Sequence, residues 1–275
     1  MLTVAYLGPE HTNTHLAALK RFGARATYLH APTVDDVFHD VERRRADYGV
    51  VPIENSLEGA VAHTLDRFAD FVDSPVTIQG EVEQPIQQYL LLHSGATLSK
   101  IRAVYSHPQA LAQCHQWLRQ HVPHATLRET SSTADAVWYI LHDKNPQFRA
   151  AIGRKELADK KPLRAMPIPS ERENKTRFLV IGLNEPPRGK RNKTSILFAL
   201  KDKPGALHDA LVPFKRQGIS LTKIESRPSK RKAWEYLFFI DVDGHVNDLK
   251  LKTALAALRR STTLLRVLGS YPVTT

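Results

Sequence analysis

Cysteine is almost absent: Cys114 stands alone among 275 residues. One thiol closes no internal disulfide and builds no thiolate metal site, so the core must hold by apolar burial in a reducing compartment, with Cys114 as a buried core thiol. Long apolar runs are also missing. No window reaches the roughly 18 uninterrupted apolar residues of a membrane helix, and Leu2 to Leu7 reads as a strand rather than a basic and then apolar leader. Low-complexity segments and short repeats are lacking as well. A soluble, unprocessed, cytoplasmic protein is the expectation. Acidic residues are scarce relative to basic ones, 28 against 39, which leaves a net charge of +11. Such an excess raises nucleic acid as a partner. The densest basic runs are Arg43 to Arg45, Arg188 to Lys193 and Lys230 to Lys232, and none is interleaved with the aromatics of a single-strand platform. They read as a solvated helix face, a linker and a hairpin turn. Neither nucleic acid nor membrane is expected as a partner, and the charge serves at most to attract a small anionic substrate.

What is present is 42% apolar sequence in an alternating pattern, enough for a real core. The pattern centres on Asn174, Lys175, Thr176, Arg177 and Phe178, which feed into the short β-branched run Leu179, Val180, Ile181, Gly182. This is a polar segment entering a buried strand, where a sheet can hold Asn, Thr and Arg side chains at the edge of a cleft. Other strands also end in polar clusters. Val4 to Leu7 gives way to Gly8, Pro9, Glu10 and then Thr12, Asn13 and Thr14 at a helix start. Tyr48 to Val51 runs into Pro52, Ile53, Glu54, Asn55 and Ser56. Ala103 to Tyr105 ends in Ser106, His107, Pro108 and Gln109. Each cluster is readable as helix caps and turns, or as donors aimed at an anion above the strand.

The helix after Ser106 buries Leu111, Cys114 and Leu118 and places Gln109 and Gln113 one turn apart. Ser131, Ser132 and Thr133 cap the helix that follows. Val76 to Ile78 and Gln88 to Leu92 read as strands around an irregular Gly80 to Pro85. The βα alternation predicts a mainly parallel, doubly wound sheet with its site at the carboxyl ends of the strands. After Gly182 the texture changes: residues 185–193 form a flexible linker. Residues 194–275 then read as βαββαβ, a ferredoxin-like module, ordered Thr194 to Leu200, Leu207 to Gln217, Ile219 to Ser226, Trp234 to Asp241, Asp248 to Leu258 and Leu264 to Ser270.

Taken in order, the four strand-end clusters and Ser132-Thr133-Ala134 resemble the prephenate dehydratase family. Lys203-Pro204-Gly205-Ala206-Leu207 and Glu225-Ser226-Arg227-Pro228 resemble the two signatures of that family's ACT regulatory domain. Each motif is short, and the specificity lies in their order across nearly the whole chain. One departure stands out. Where the family reads Gly-Pro-x-Gly-Thr-Phe-Ser, this chain has Gly8, Pro9, Glu10, His11, Thr12, Asn13, Thr14. If the replaced glycine sits at positive φ, a Cβ costs about 1 kcal/mol or more, and His and Asn tolerate that region better than most residues. A reshaped substrate loop is the expectation.

The resemblance implies an α/β protein. It would have a two-lobed catalytic domain like that of periplasmic binding proteins over residues 1–184 and an ACT domain over 194–275. It implies decarboxylation and dehydration of prephenate to phenylpyruvate, with no metal and no cofactor, because aromatisation drives the step. Thr176 would be the hydroxyl that donates or relays a proton to the departing ring hydroxyl. Asn55, Ser106 and Gln113 would join it in catalysis, and Thr12, Glu54, Ser56, Gln109, Ser132 and Thr133 would contact substrate. Arg177 would either clamp a carboxylate or form a structural ion pair. Gly205, Ala206 and Leu207 with Glu225, Ser226, Arg227 and Pro228 would bind L-phenylalanine as feedback effector in a homodimer or homotetramer. Arogenate dehydratase and a non-catalytic amino-acid-binding regulator are the alternatives.

Overall fold

A computed structural model of the chain describes residues 2–159, 161–169, 173–229 and 236–273. The basic run Lys230 to Lys232 and the expected strand start at Trp234 lie outside them. The fold divides into two compact units, Met1–Gln84 with Lys175–Thr275, and Pro85–Asn174.

The first unit opens with β1 (Thr3–Leu7), α1 (Asn13–Phe22), β2 (Thr27–Ala31), α2 (Val34–Glu42), β3 (Tyr48–Asn55), the two-residue β4 (Gly59–Ala60), α3 (Ala62–Asp70) and β5 (Thr77–Pro85). Local chemistry sets these bounds. The Thr12 hydroxyl accepts from His15 N–H to start α1, and Thr33 accepts from Asp36 N–H to start α2, where Asp35 and Asp36 also face the positive helix end. The chain returns to this unit as β11 (Lys175–Gly182), which gives the strand order β2-β1-β3-β11-β5. The β1 strand pairs in parallel with β2 and β3, but β11 pairs antiparallel with β3. The sheet is therefore mixed where a mainly parallel one was expected. The expected irregular stretch Gly80 to Pro85 belongs to the continuous strand β5, and its Gln79 and Glu81 are buried. Polar content read as a loop here because the partners that satisfy it lie far away in sequence.

The second unit holds β6 (Tyr89–His93), β7 (Ala103–Ser106), α4 (Pro108–His121), β8 (Thr126–Glu129), α5 (Thr133–His142), β9 (Arg149–Gly153) and β10 (Leu163–Pro167). Its sheet runs β10-β6-β9-β7-β8. Helix α4 buries Leu111, Cys114 and Leu118 against Leu90, Leu92, Val104, Ala150 and Ile152. Burial pushes the Cys114 thiol up to about 12, so it stays protonated and unreactive near neutral pH.

The carboxyl-terminal module is β12 (Asn192–Leu200), α6 (Ala206–Gln217), β13 (Leu221–Pro228), β14 (Tyr236–Asp243), α7 (Leu249–Arg259) and β15 (Thr262–Pro272). Its antiparallel sheet, β13-β14-β12-β15, has the ferredoxin-like order that the sequence predicts. Both faces are covered, as the burial of β12 along nearly its whole length requires. Ile196 and Phe198 face α6 and α7, where Ala210, Phe214, Leu251 and Leu258 pack. Leu197, Ala199, Phe239, Leu268 and Tyr271 share a core with Phe38, Ile53, Phe68, Leu179 and Ile181 of the first unit's other sheet. The segment expected to be a flexible tether is fastened. Asn192 and Lys193 belong to β12, the Asn192 side chain exchanges hydrogen bonds with Gly189 backbone at 2.8 and 2.9 Å, and Arg188 pairs with Asp248. Among the described residues no helix is long and apolar enough to cross a membrane.

Gly269 lets β15 lie against β5: a Cβ there would fall 2.2 Å from the Ile78 carbonyl oxygen and 2.8 Å from its nitrogen. Backbone atoms cannot swing aside, so Gly269→Ala is expected to cost about 1–3 kcal/mol through overpacking, read as a lower urea midpoint.

Candidate active site

The carboxyl end of β3 and the start of β11 are register partners, Asn55 opposite Thr176 and Glu54 opposite Arg177. The polar segment Asn174 to Phe178, expected as a loop, is mostly strand: it enters β11 at Lys175. The Asn55 side-chain nitrogen donates to the Thr176 hydroxyl oxygen at 2.9 Å. The Asn55 side-chain oxygen Oδ1 accepts from Leu57 N–H at 2.9 Å and Glu58 N–H at 3.2 Å. Those two backbone donors fix which way the amide points. The Thr176 oxygen is then an acceptor from Asn55, and its own proton remains a donor. Both side chains are half-buried, so solvent reaches the pair. Ser56 completes the strand end by accepting from Lys175 N–H at 3.0 Å.

A bulge aims these residues. Arg177 pairs with Glu54 and Phe178 with Pro52, so Ile53 is an extra residue on β3. Ile53 and Glu54 consequently reach the same face. Ile53 enters the core shared with the carboxyl-terminal module, and Glu54 meets Lys223 of β13. Along β11 the faces alternate: Phe178 and Val180 pack with Val4, Tyr6 and Val50, while Leu179 and Ile181 join the shared core. Arg177 follows the shared-core face and Thr176 the other.

Arg177 is 8% exposed, and its guanidinium reaches Glu54 at 2.8 Å, Glu81 at 2.8 Å and Asp241 at 3.0 Å. Lys193 holds both Glu81 oxygens at 2.7 and 2.8 Å. Ser195 donates to Asp241 at 2.6 Å and lies 3.0 Å from the Tyr271 hydroxyl. Three carboxylates thus meet three cations, Arg177, Lys193 and Lys223, and the cluster closes near neutrality. Burial pulls the guanidinium toward neutrality, but Asp241, Glu81 and Glu54 outweigh it and hold the charge in place. Burial likewise pushes Glu54 up, and hydrogen bonding and charge from Lys223 and Arg177 bring it below the usual carboxylate range. Burial, reinforced by Asp241 and Glu81, keeps the Tyr271 phenol protonated. Of the two readings of Arg177, the geometry shows the ion pair.

The second unit gathers amides. Gln113 accepts from Gln88 and from Asn174, both at 3.3 Å, one turn along α4 from exposed Gln109. Ser106, expected to join catalysis, is fully buried, and its hydroxyl donates to the Ile152 carbonyl at 2.8 Å, tying β7 to β9. Ser132 caps α5 by accepting from Asp135 N–H at 3.0 Å, and Thr133 is the first residue of that helix.

Thr12 likewise spends its hydroxyl on capping α1 and on the Leu7 carbonyl at 3.3 Å. His11 has φ +64°, the left-handed conformation expected where the family carries glycine, and its N–H donates to the His15 ring at 3.0 Å. In the carboxyl-terminal module Gly205 has φ +77° at the start of α6, ahead of Ala206 and Leu207. Glu225, Ser226, Arg227 and Pro228 lie on β13, where Arg227 grips Asp66 of α3 with both nitrogens at 3.0–3.2 Å. Glu81, Lys193, Ser195, Lys223, Asp241 and Tyr271 escaped the sequence reading. Their signal was present: polar or charged residues at inward positions of strands.

The fold is that of an α/β protein with a carboxyl-terminal ferredoxin-like module and a polar strand-end pair, Asn55 and Thr176. Prephenate dehydratase is the family whose model matches residues 4–186, and the ACT domain matches 194–260. The chain belongs to the prephenate dehydratase family. It is 47% identical over 274 residues to the bifunctional chorismate mutase/prephenate dehydratase of Aquifex aeolicus, covering 98% of this chain and 74% of that protein. Against the prephenate dehydratase of Methanocaldococcus jannaschii it is 41% identical, covering 88% and 86%. The crystal structure of the Arthrobacter aurescens prephenate dehydratase in complex with L-Phe superposes with a TM-score of 0.86 at 34% identity, over 98% of this chain and 90% of that one.

Removing Arg177 leaves Glu81 and Asp241 buried with too little positive charge. Arg177→Ala is expected to lower stability by about 3–5 kcal/mol in urea unfolding, whereas an exposed Arg45→Ala control stays within about 0.5 kcal/mol.

Proposed function

We propose that this chain catalyses the decarboxylating dehydration of prephenate to phenylpyruvate, with Thr176 as the hydroxyl donor. The Asn55–Thr176 pair carries the reading. In the reaction the bond between the ring and its carboxylate breaks and releases carbon dioxide. The freed electron pair enters the ring, and the ring carbon–oxygen bond breaks. The departing hydroxide takes a proton and leaves as water. Aromatisation drives these steps, so the protein must orient the substrate and supply a donor where the oxygen leaves. A threonine hydroxyl is a weak acid. Held by Asn55 with its own proton still a donor, it stabilises and relays rather than ionises. Gln109 and Gln113 suit the substrate's polar groups, and the N–H groups at Ser132 and Thr133 suit a carboxylate.

The module of residues 194–275 is the proposed sensor for L-phenylalanine. The backbone turn at Gly205, Ala206 and Leu207 would hold the amino acid's carboxylate, with Glu225 to Pro228 nearby in sequence order, in a cytoplasmic homodimer or homotetramer. The intact Thr176 pair weighs against a non-catalytic regulator.

Phenylpyruvate formation from prephenate, followed with and without L-phenylalanine, tests both parts. Turnover is expected, with inhibition by the amino acid; arogenate as the better substrate would overturn the substrate assignment. Thr176→Ala is expected to lower kcat by about 10²–10⁴-fold with an unchanged circular-dichroism spectrum, the usual range for lost general-acid assistance.

A further inference from the structure

Lys223 lies on β13, two residues before the Glu225 to Pro228 signature, and its ammonium reaches across to Glu54. Glu54 is also gripped by Arg177, its register partner. The neighbours of these two residues, Asn55 and Thr176, form the next pair along the same two strands. The bulge at Ile53 turns Glu54 toward the carboxyl-terminal module while Asn55 stays opposite Thr176. The cross-strand Glu54–Arg177 ion pair stands one residue before the Asn55–Thr176 pair, near the end of the ladder, and Lys223 fastens the Glu54 carboxylate from the carboxyl-terminal module's sheet.

We propose that Lys223 is a positioning residue for the reaction: by holding Glu54 it sets the geometry of the Asn55–Thr176 pair, so one strand carries both the regulatory signature and a support of the donor hydroxyl. This rests on the proposed dehydratase activity. It connects signature to site through β13, with Lys223 and Ile224, one ion pair and one peptide bond separating Glu225 from Asn55.

The test is steady-state turnover of prephenate by the full chain. Lys223→Met keeps the apolar stem, and Glu54, about one-third exposed, retains Arg177 and water, so the fold should survive. This variant is expected to lose about tenfold or more in kcat with KM within about twofold, because a shift of the donor acts on the transition state. Lys223→Arg should restore most of the loss. In a Thr176→Ala background, Lys223→Met should change kcat by less than about twofold, since the group it positions is gone. A general loss of folded enzyme would lower both backgrounds equally. Wild-type-like kcat in Lys223→Met overturns the inference and leaves the dehydratase reading standing. Equal losses in both backgrounds, or unfolding of both Lys223 variants by circular dichroism, make Lys223 a stability element and also overturn it. No prephenate turnover by the unaltered chain overturns both readings.

Discussion

A guanidinium surrounded by three carboxylates inside the protein governs how the first unit is put together. Arg177 alone would be too costly to bury, as would Glu81 or Asp241, because an uncompensated charge in that environment costs several kcal/mol. Together, with Lys193 and Lys223, they close near neutrality. The members come from β3, β5, β11, β12, β13 and β14, so the charges balance only when the two sheets are docked in one register. Apolar burial supplies the driving force for that docking, and the ion cluster makes it specific. A slip of one residue along β11 would turn Arg177 to the opposite face and leave an uncharged side chain, Thr176 or Phe178, among the carboxylates.

This arrangement separates two tasks on adjacent residues. Thr176 and Arg177 are neighbours in sequence but point to opposite faces of one strand, the first half-buried and solvent-reachable and the second in the ion cluster. Strand alternation therefore gives the Thr176 hydroxyl a fixed base without crowding it. Asn55 repeats the arrangement on β3, its amide oxygen tied to the following turn and its nitrogen to Thr176.

Much of this was legible in the sequence. The ferredoxin-like order, the helix caps at Thr12 and Ser132, and the buried strand that follows Thr176 all came from local pattern and turn chemistry. What escaped depends on partners distant in sequence. Gly80 to Pro85 looked irregular because Glu81 has no local reason to be buried; its reasons are Arg177 and Lys193. Residues 185–193 looked like a tether because proline, glycine and lysine dominate them, yet Asn192 and Lys193 begin a strand whose both faces are covered. Ser106 read as a strand-end residue, and its buried hydrogen bond to Ile152, 46 positions on, was not readable locally.

The division of the chain also fixes the order in which it can take shape during synthesis. Residues 85–174 form a unit contiguous in sequence. The surrounding unit needs its opening 84 residues and everything from Lys175 onward, and the Asn55–Thr176 contact spans 121 positions. While the ribosome is still working, β3 emerges with its β11 edge open and Val51 and Ile53 without the core that later covers them. The segment that carries β3 is thus made before its partners: its strand edge stays unpaired until β11 has been translated, and its core stays uncovered until the module that starts at β12 follows.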